Sequence, residues 1–151
     1  MNILTENTTI FTENFTDLFI KTNFNKTKFA NEVGIKHSQI EHYLQGTMPT
    51  IKSVVKICDY FNCSIDYMVG LNNNFKYENM KQRYTSNSFY PEYQRLLKIN
   101  HTNHFRLSKN NLVTETSLSS WKRGCLPKFE VLINIAYELG GSIDKMLGRI
   151  E

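Results

Sequence analysis

At 151 residues, 40% of them apolar, the chain has room for one average domain or two small ones, and no apolar run approaches the ~20 residues that a membrane-crossing helix needs. The net charge of +4 and pI near 8.9 suit contact with a polyanion without requiring it. That charge is uneven: residues 1–72 hold six Lys and Arg against seven Asp and Glu, residues 73–151 twelve against seven.

In chain order, residues 1–12 are rich in Thr and Asn and are expected to be flexible. Phe15, Leu18 and Phe19 give a first helix its buried face. Asn25–Gly46, NKTKFANEVGIKHSQIEHYLQG, follows and is taken up below. After Pro49 the residues Ile51, Val54, Val55, Cys58 and Phe61 keep the i, i+3, i+4, i+7 spacing of a half-buried helix, with Thr50 as N-cap. Ser64 caps a last turn that Gly70 stops, and Asp66 stands where a carboxylate favours a helix N-terminus.

This plan occurs twice. Displacing the chain by 78 residues lays Phe15–Gly70 over Tyr93–Gly148 without a gap, with ten identities, including Gly46/Gly124, Pro49/Pro127, Ser64/Ser142, Asp66/Asp144 and Gly70/Gly148. Apolar substitutions keep their places: Phe29/Leu107, Ile35/Val113, Ile40/Leu118, Tyr43/Trp121, Val54/Leu132 and Val69/Leu147 among others. Tyr43 and Trp121 are therefore read as core. Residues 71–90, with three consecutive Asn and no sustained apolar period, read as the linker, although Tyr77, Met80 and Tyr84 are spaced as a helical connector would space them. The division expected is a flexible segment 1–12, a module at 13–72, a linker at 73–90 and a second module at 91–151. No alternating run of useful length occurs, so the fold class is all-α.

Cys58, Cys63 and Cys125 cannot all pair within one chain, and no charged-then-apolar leader opens the sequence; a reducing cytoplasm is the expected setting. Cys58 and Cys63 have no second Cys or His pair, and His101 and His104 no third ligand, so no metal and no cofactor are expected. All four histidines, His37, His42, His101 and His104, are read as surface residues. No Gly-rich loop ending in Gly-Lys-Ser/Thr, no His-Glu-x-x-His and no Gly-x-Ser-x-Gly occurs, and an enzyme is not expected.

The segment Asn25–Gly46 resembles the helix-turn-helix of the lambda-repressor and Cro family. The resemblance rests on the Phe29-Ala30 pair, the turn Gly34, Ile35, and a following helix with Ile40 and Tyr43 before Gly46. It extends through Pro49 to Gly70 and covers about 56 residues in each copy. It implies two consecutive lambda-repressor-like five-helix DNA-binding modules, with double-stranded DNA as partner and the chain alone or as a homodimer. In that family base-reading residues lie at the N-terminal end of the second helix. Since Ile40 and Tyr43 anchor the inner face, His37, Ser38, Gln39, Glu41 and His42 are left for the outer one, with Lys26 and Lys36 adding positive charge. The second copy offers Thr114, Glu115, Thr116, Ser117, Ser119 and Ser120 for base edges, and Lys122 and Arg123 for phosphate; Glu115 is read chiefly as favouring the positive end of its helix.

Both copies depart from the family pattern. Leu112 replaces the turn Gly and Ser108 the small Ala, so Asn111 is expected to make the turn in the left-handed conformation. In the first copy Lys36 is a poor N-cap and Leu44 stands, exposed, where a charged residue is common. The function expected is a transcriptional regulator, a repressor of bacterial or phage type. The competing reading is a protein-binding module, an anti-repressor or a phage-encoded inhibitor of a host defence, to which the acidic first half and Leu44 would suit a protein partner.

Overall fold

The computed structural model describes residues 3–151, with side chains from residue 5, and all regular structure among these residues is helical. The chain forms two compact units, Met1–Tyr77 and Glu78–Glu151.

In the first unit, α1 (Ile3–Lys21) is followed by α2 (Lys26–Val33), α3 (His37–Leu44), α4 (Ile51–Phe61) and α5 (Ile65–Met68). The helix ends follow side-chain chemistry. Asn25 Oδ1 accepts the Lys28 N–H at 2.8 Å, Thr50 Oγ1 that of Ser53 at 3.3 Å and Ser64 Oγ that of Tyr67 at 3.0 Å. Gly34, at φ 80°, ends α2 in the left-handed conformation. The core is a cluster of rings: Phe11 and Phe15 stack at 5.7 Å, and the Tyr43 ring meets both edge-on at 6.3 and 6.2 Å.

Residues 1–12 were expected to be flexible, but from Ile3 onward they are helix. Phe11 is fully buried and Asn7 nearly so, and the Asn7 amide donates to the Val69 carbonyl. The Thr hydroxyls that disguise the segment bond back along the helix, Thr9 to Thr5 O and Thr12 to Thr8 O, both at 3.0 Å, and so satisfy themselves without ending it. Residues 1 and 2 lie outside the described residues.

In the second unit, α6 (Phe89–Ile99), α7 (His104–Lys109), α8 (Ser117–Lys122), α9 (Phe129–Leu139) and α10 (Ile143–Met146) follow a short 3-10 turn at Ser86–Ser88. The bounds of α9 and α10 are those of α4 and α5 displaced by 78 residues, whereas α8 opens at 117, not at 115 as that displacement would have it. The difference lies in the turn: with Leu112 in place of Gly34, Asn111 takes the left-handed conformation at φ 59°, as expected, and residues 115 and 116 remain in the turn. Glu115 therefore stands just before its helix. Leu118 is half-buried, while Trp121, 4% exposed, replaces Tyr43 in the core against Phe89 and Tyr93.

The segment 73–90 differs from a plain linker because each unit takes part of it. Asp66 is fully buried and accepts the Tyr77 hydroxyl at 2.7 Å, Ser64 Oγ donates to Asn74 O at 2.6 Å, and Phe75 meets the Tyr67 ring at 5.1 Å. In the second unit Lys81 N–H donates to Arg149 O at 2.7 Å and Thr85 N–H to Leu147 O at 2.9 Å. The buried counterpart of Asp66 is Asp144, which accepts from Arg149 Nε at 2.9 Å, and both side chains are 0% exposed. Only Glu78 and Asn79 fall between Tyr77, bonded in the first unit, and Met80, whose sulfur lies 3.8 Å from Arg149 Nη2.

The Tyr77 phenol is pushed up from 10.0 to about 12, first by burial and then by its bond to Asp66. The unfolded chain releases this proton at 10.0 and the folded one holds it to about 12, so the stability it contributes is whole below pH 10.0 and is lost from there to about 12. Tyr77→Phe should therefore flatten the alkaline fall in stability. Urea midpoints of both proteins at about pH 9 and about pH 11 check this; parallel falls would detach Tyr77 from Asp66.

Candidate nucleic-acid interface

Helix α3 is divided lengthwise. Ile40 and Tyr43 are 0% and 4% exposed, and Lys36, His37, Ser38, His42 and Gln45 face solvent. Two of the polar side chains are already engaged. Gln39, half-buried, accepts the Lys36 N–H through Oε1 at 3.2 Å, which supplies the start of the helix with the bond that Lys36 cannot make as a cap. Glu41 holds Lys26 at 3.7 Å and His37 Nδ1 at 3.8 Å. The structure thus gathers Lys26, His37 and Glu41 into one exposed cluster at the junction of α2 and α3. Ser38 and His42 stand beside it on the solvent face. Leu44 is half-buried, not exposed as the sequence suggested.

Helix α8 is shorter and its outer face is hydroxyl-rich. Thr114, Glu115, Thr116 and Ser119 are exposed, Ser117 and Ser120 half-buried. Ser117 Oγ donates to Thr114 O at 2.7 Å and Ser119 Oγ to Thr116 O at 3.2 Å, which leaves the lone pairs of both hydroxyls available as acceptors. Lys122 and Arg123 are exposed at the end of the helix. Two grooves flank it. One, of 420 Å³, runs between α6, α7 and α8 and is lined by Tyr90, Lys98, Asn103, Phe105, Leu118 and Lys122 among others. The other, of 250 Å³, lies between the 3-10 turn and the end of α8, with Ser86, Asn87, Lys122 and Arg123 on its walls. Lys122 borders both.

A surface helix whose inner face is fixed by a branched residue and an aromatic ring, and whose outer face carries small polar and cationic side chains, has the form needed to enter a major groove. Residues 20–68 match the helix-turn-helix family model. The match spans the end of α1 through α5 and includes Lys26, Lys36, His37, Ser38, Gln39 and His42. No curated protein and no solved structure matches the chain. Among the described residues no helix is long and apolar enough to cross a membrane, and no three of His, Cys, Asp and Glu are grouped as a metal ion would need.

The histidine assignments need one correction. His37, His42 and His101 are exposed, but His104 is 7% exposed, with its ring edge-on to Tyr93 at 5.9 Å and to Trp121 at 5.5 Å. Polarity alone placed it on the surface; its two ring nitrogens are instead satisfied internally, by the Tyr93 hydroxyl at 2.8 Å and Thr114 O at 2.9 Å. Burial pushes the Tyr93 phenol up, so this hydroxyl stays neutral. Sequence reading also missed the role of Glu41. Its i, i+4 relation to His37 was visible, but the approach of Lys26 from the neighbouring helix was not.

Proposed function

We propose that the chain is a sequence-specific regulator of transcription, a repressor of bacterial or phage type, in which two consecutive lambda-repressor-like modules bind double-stranded DNA. The observation that carries this reading is the helix-turn-helix match over residues 20–68, joined to an α3 whose inner face is buried and whose outer face is polar. The second module is inferred from the 78-residue repeat and from the recurrence of the helix bounds in the second unit. In the first module His37, Ser38 and His42 are assigned to base edges, with Lys26 and Lys36 toward phosphate. Gln39 and Glu41 act mainly by holding that surface. In the second, Thr114, Thr116, Ser117, Ser119 and Ser120 are assigned to bases, Lys122 and Arg123 to phosphate, and Glu115 to the helix start.

The second module is assigned most of the affinity. Its unit holds eleven Lys and Arg against seven Asp and Glu, whereas the first holds seven of each, and in the first Lys26 is partly neutralised by Glu41. The test is filter or gel-shift binding to duplexes selected from a random pool, at several salt concentrations. Lys122→Ala and Arg123→Ala should each weaken binding to all sequences alike and lower the salt slope by about one, while Thr116→Ala or Ser120→Ala should change which sequence is preferred. No salt-dependent binding to any duplex would remove the reading in favour of a protein partner.

A further inference from the structure

His104 opens α7 at the place where the 78-residue displacement puts Lys26 in the first unit. The two residues behave in opposite ways. Lys26 is exposed and reaches Glu41, whereas His104 uses both ring nitrogens inside its unit. The Thr114 carbonyl, 2.9 Å from Nε2, can only accept, so Nε2 carries the proton; Nδ1 then accepts from the Tyr93 hydroxyl at 2.8 Å. One imidazole thus joins α6 through Tyr93, α8 through the Trp121 ring, and the turn before α8 through Thr114. That same carbonyl accepts the Ser117 hydroxyl at 2.7 Å and the Ser117 N–H at 3.3 Å. Where His104 holds Thr114 is therefore where α8 begins. The helix has little else to fix its start: it is six residues long, and its N-cap Thr116 makes no side-chain cap bond.

We infer that His104 is the positioning residue of the second unit's outward-facing helix: its Nε2–H holds Thr114 O ahead of α8, and its Nδ1 ties that bond to Tyr93 on α6. Around the ring stand Tyr93 and, along the groove, Tyr90, Lys98 and Lys122. Glu115 lies exposed in the turn after Thr114. On α7 itself Arg106 donates to His101 O, and Lys109 sits over the Phe105 ring.

The consequence for DNA rests on the function proposed above, but the positioning role does not. The test uses the full chain, His104→Gln and His104→Phe, followed by nitrogen-resolved NMR of the imidazole and of the amides 114–122 at about pH 8, with binding to a mixed-sequence duplex measured in parallel. The unsubstituted protein should show the Nε2–H tautomer. His104→Gln keeps a donor for Thr114, so the amides at 114–120 should stay near their places. His104→Phe should displace them and weaken duplex binding by about tenfold. An Nδ1–H tautomer, or amides at 114–120 that keep their places in His104→Phe, would overturn the inference. If the amides behave as described but no protein binds duplex, the positioning role stands and the DNA reading fails.

Discussion

Trp121→Ala should cost the second unit about 3–5 kcal/mol, the range for deleting a buried aromatic side chain. The indole is 4% exposed and meets three rings edge-on, Phe89 and Tyr93 at 5.2 Å and His104 at 5.5 Å, each at 88°. Such contacts contribute beyond the area they bury, and truncation to Ala would leave a cavity where the indole stood. Urea unfolding followed by far-UV circular dichroism measures the loss, since the substitution removes the only Trp of the chain. A loss below ~1 kcal/mol would show that the ring is exposed in solution.

Arg149→Ala should have a similar effect by a different mechanism. Asp144 and Arg149 are both 0% exposed, with Nε donating to Oδ1 at 2.9 Å. Removing the guanidinium deprives a buried carboxylate of its counter-charge, which typically costs about 3–5 kcal/mol. The pair is not thereby a large net stabiliser, because much of its mutual attraction offsets the desolvation of both ions. The double substitution Asp144→Ala with Arg149→Ala should therefore be less destabilising than the sum of the two single ones. Urea midpoints of the four proteins give the coupling; strict additivity would mean that the two side chains do not meet.

What the sequence revealed and what it concealed divide by range. The caps at Thr50, Ser64 and Ser142, and the stripes of α4 and α9, are local, so spacing alone located them. Asn111 in the left-handed turn was also foreseeable, since Leu112 could not replace the glycine there. The first turns of α1 were hidden because Thr and Asn are poor helix formers, and only the burial of Asn7 and Phe11 against the rest of the unit overrides that preference. Asp66 and Asp144 looked like ordinary helix-start carboxylates. Their partners Tyr77 and Arg149 depend on how each chain segment folds back, which no short-range pattern encodes. The candidate interface was legible as a face but not in its internal bonds: Glu41 with Lys26 joins two helices, as does His104 with Thr114 and Tyr93.

The fold-back of residues 71–77 on α5, and of residues 80–88 on the loop after α10, also fixes where the chain can be divided. A piece ending at residue 72 would keep all five helices of the first unit yet lose the Tyr77 hydroxyl that Asp66 accepts, and a piece beginning at residue 88 would lose Met80, Lys81 and Thr85 from around Arg149 and Leu147. Each folded unit is thus longer than its helices and carries its own fastening, and a division of the chain at Glu78 or Asn79, both exposed, would cut neither fastening.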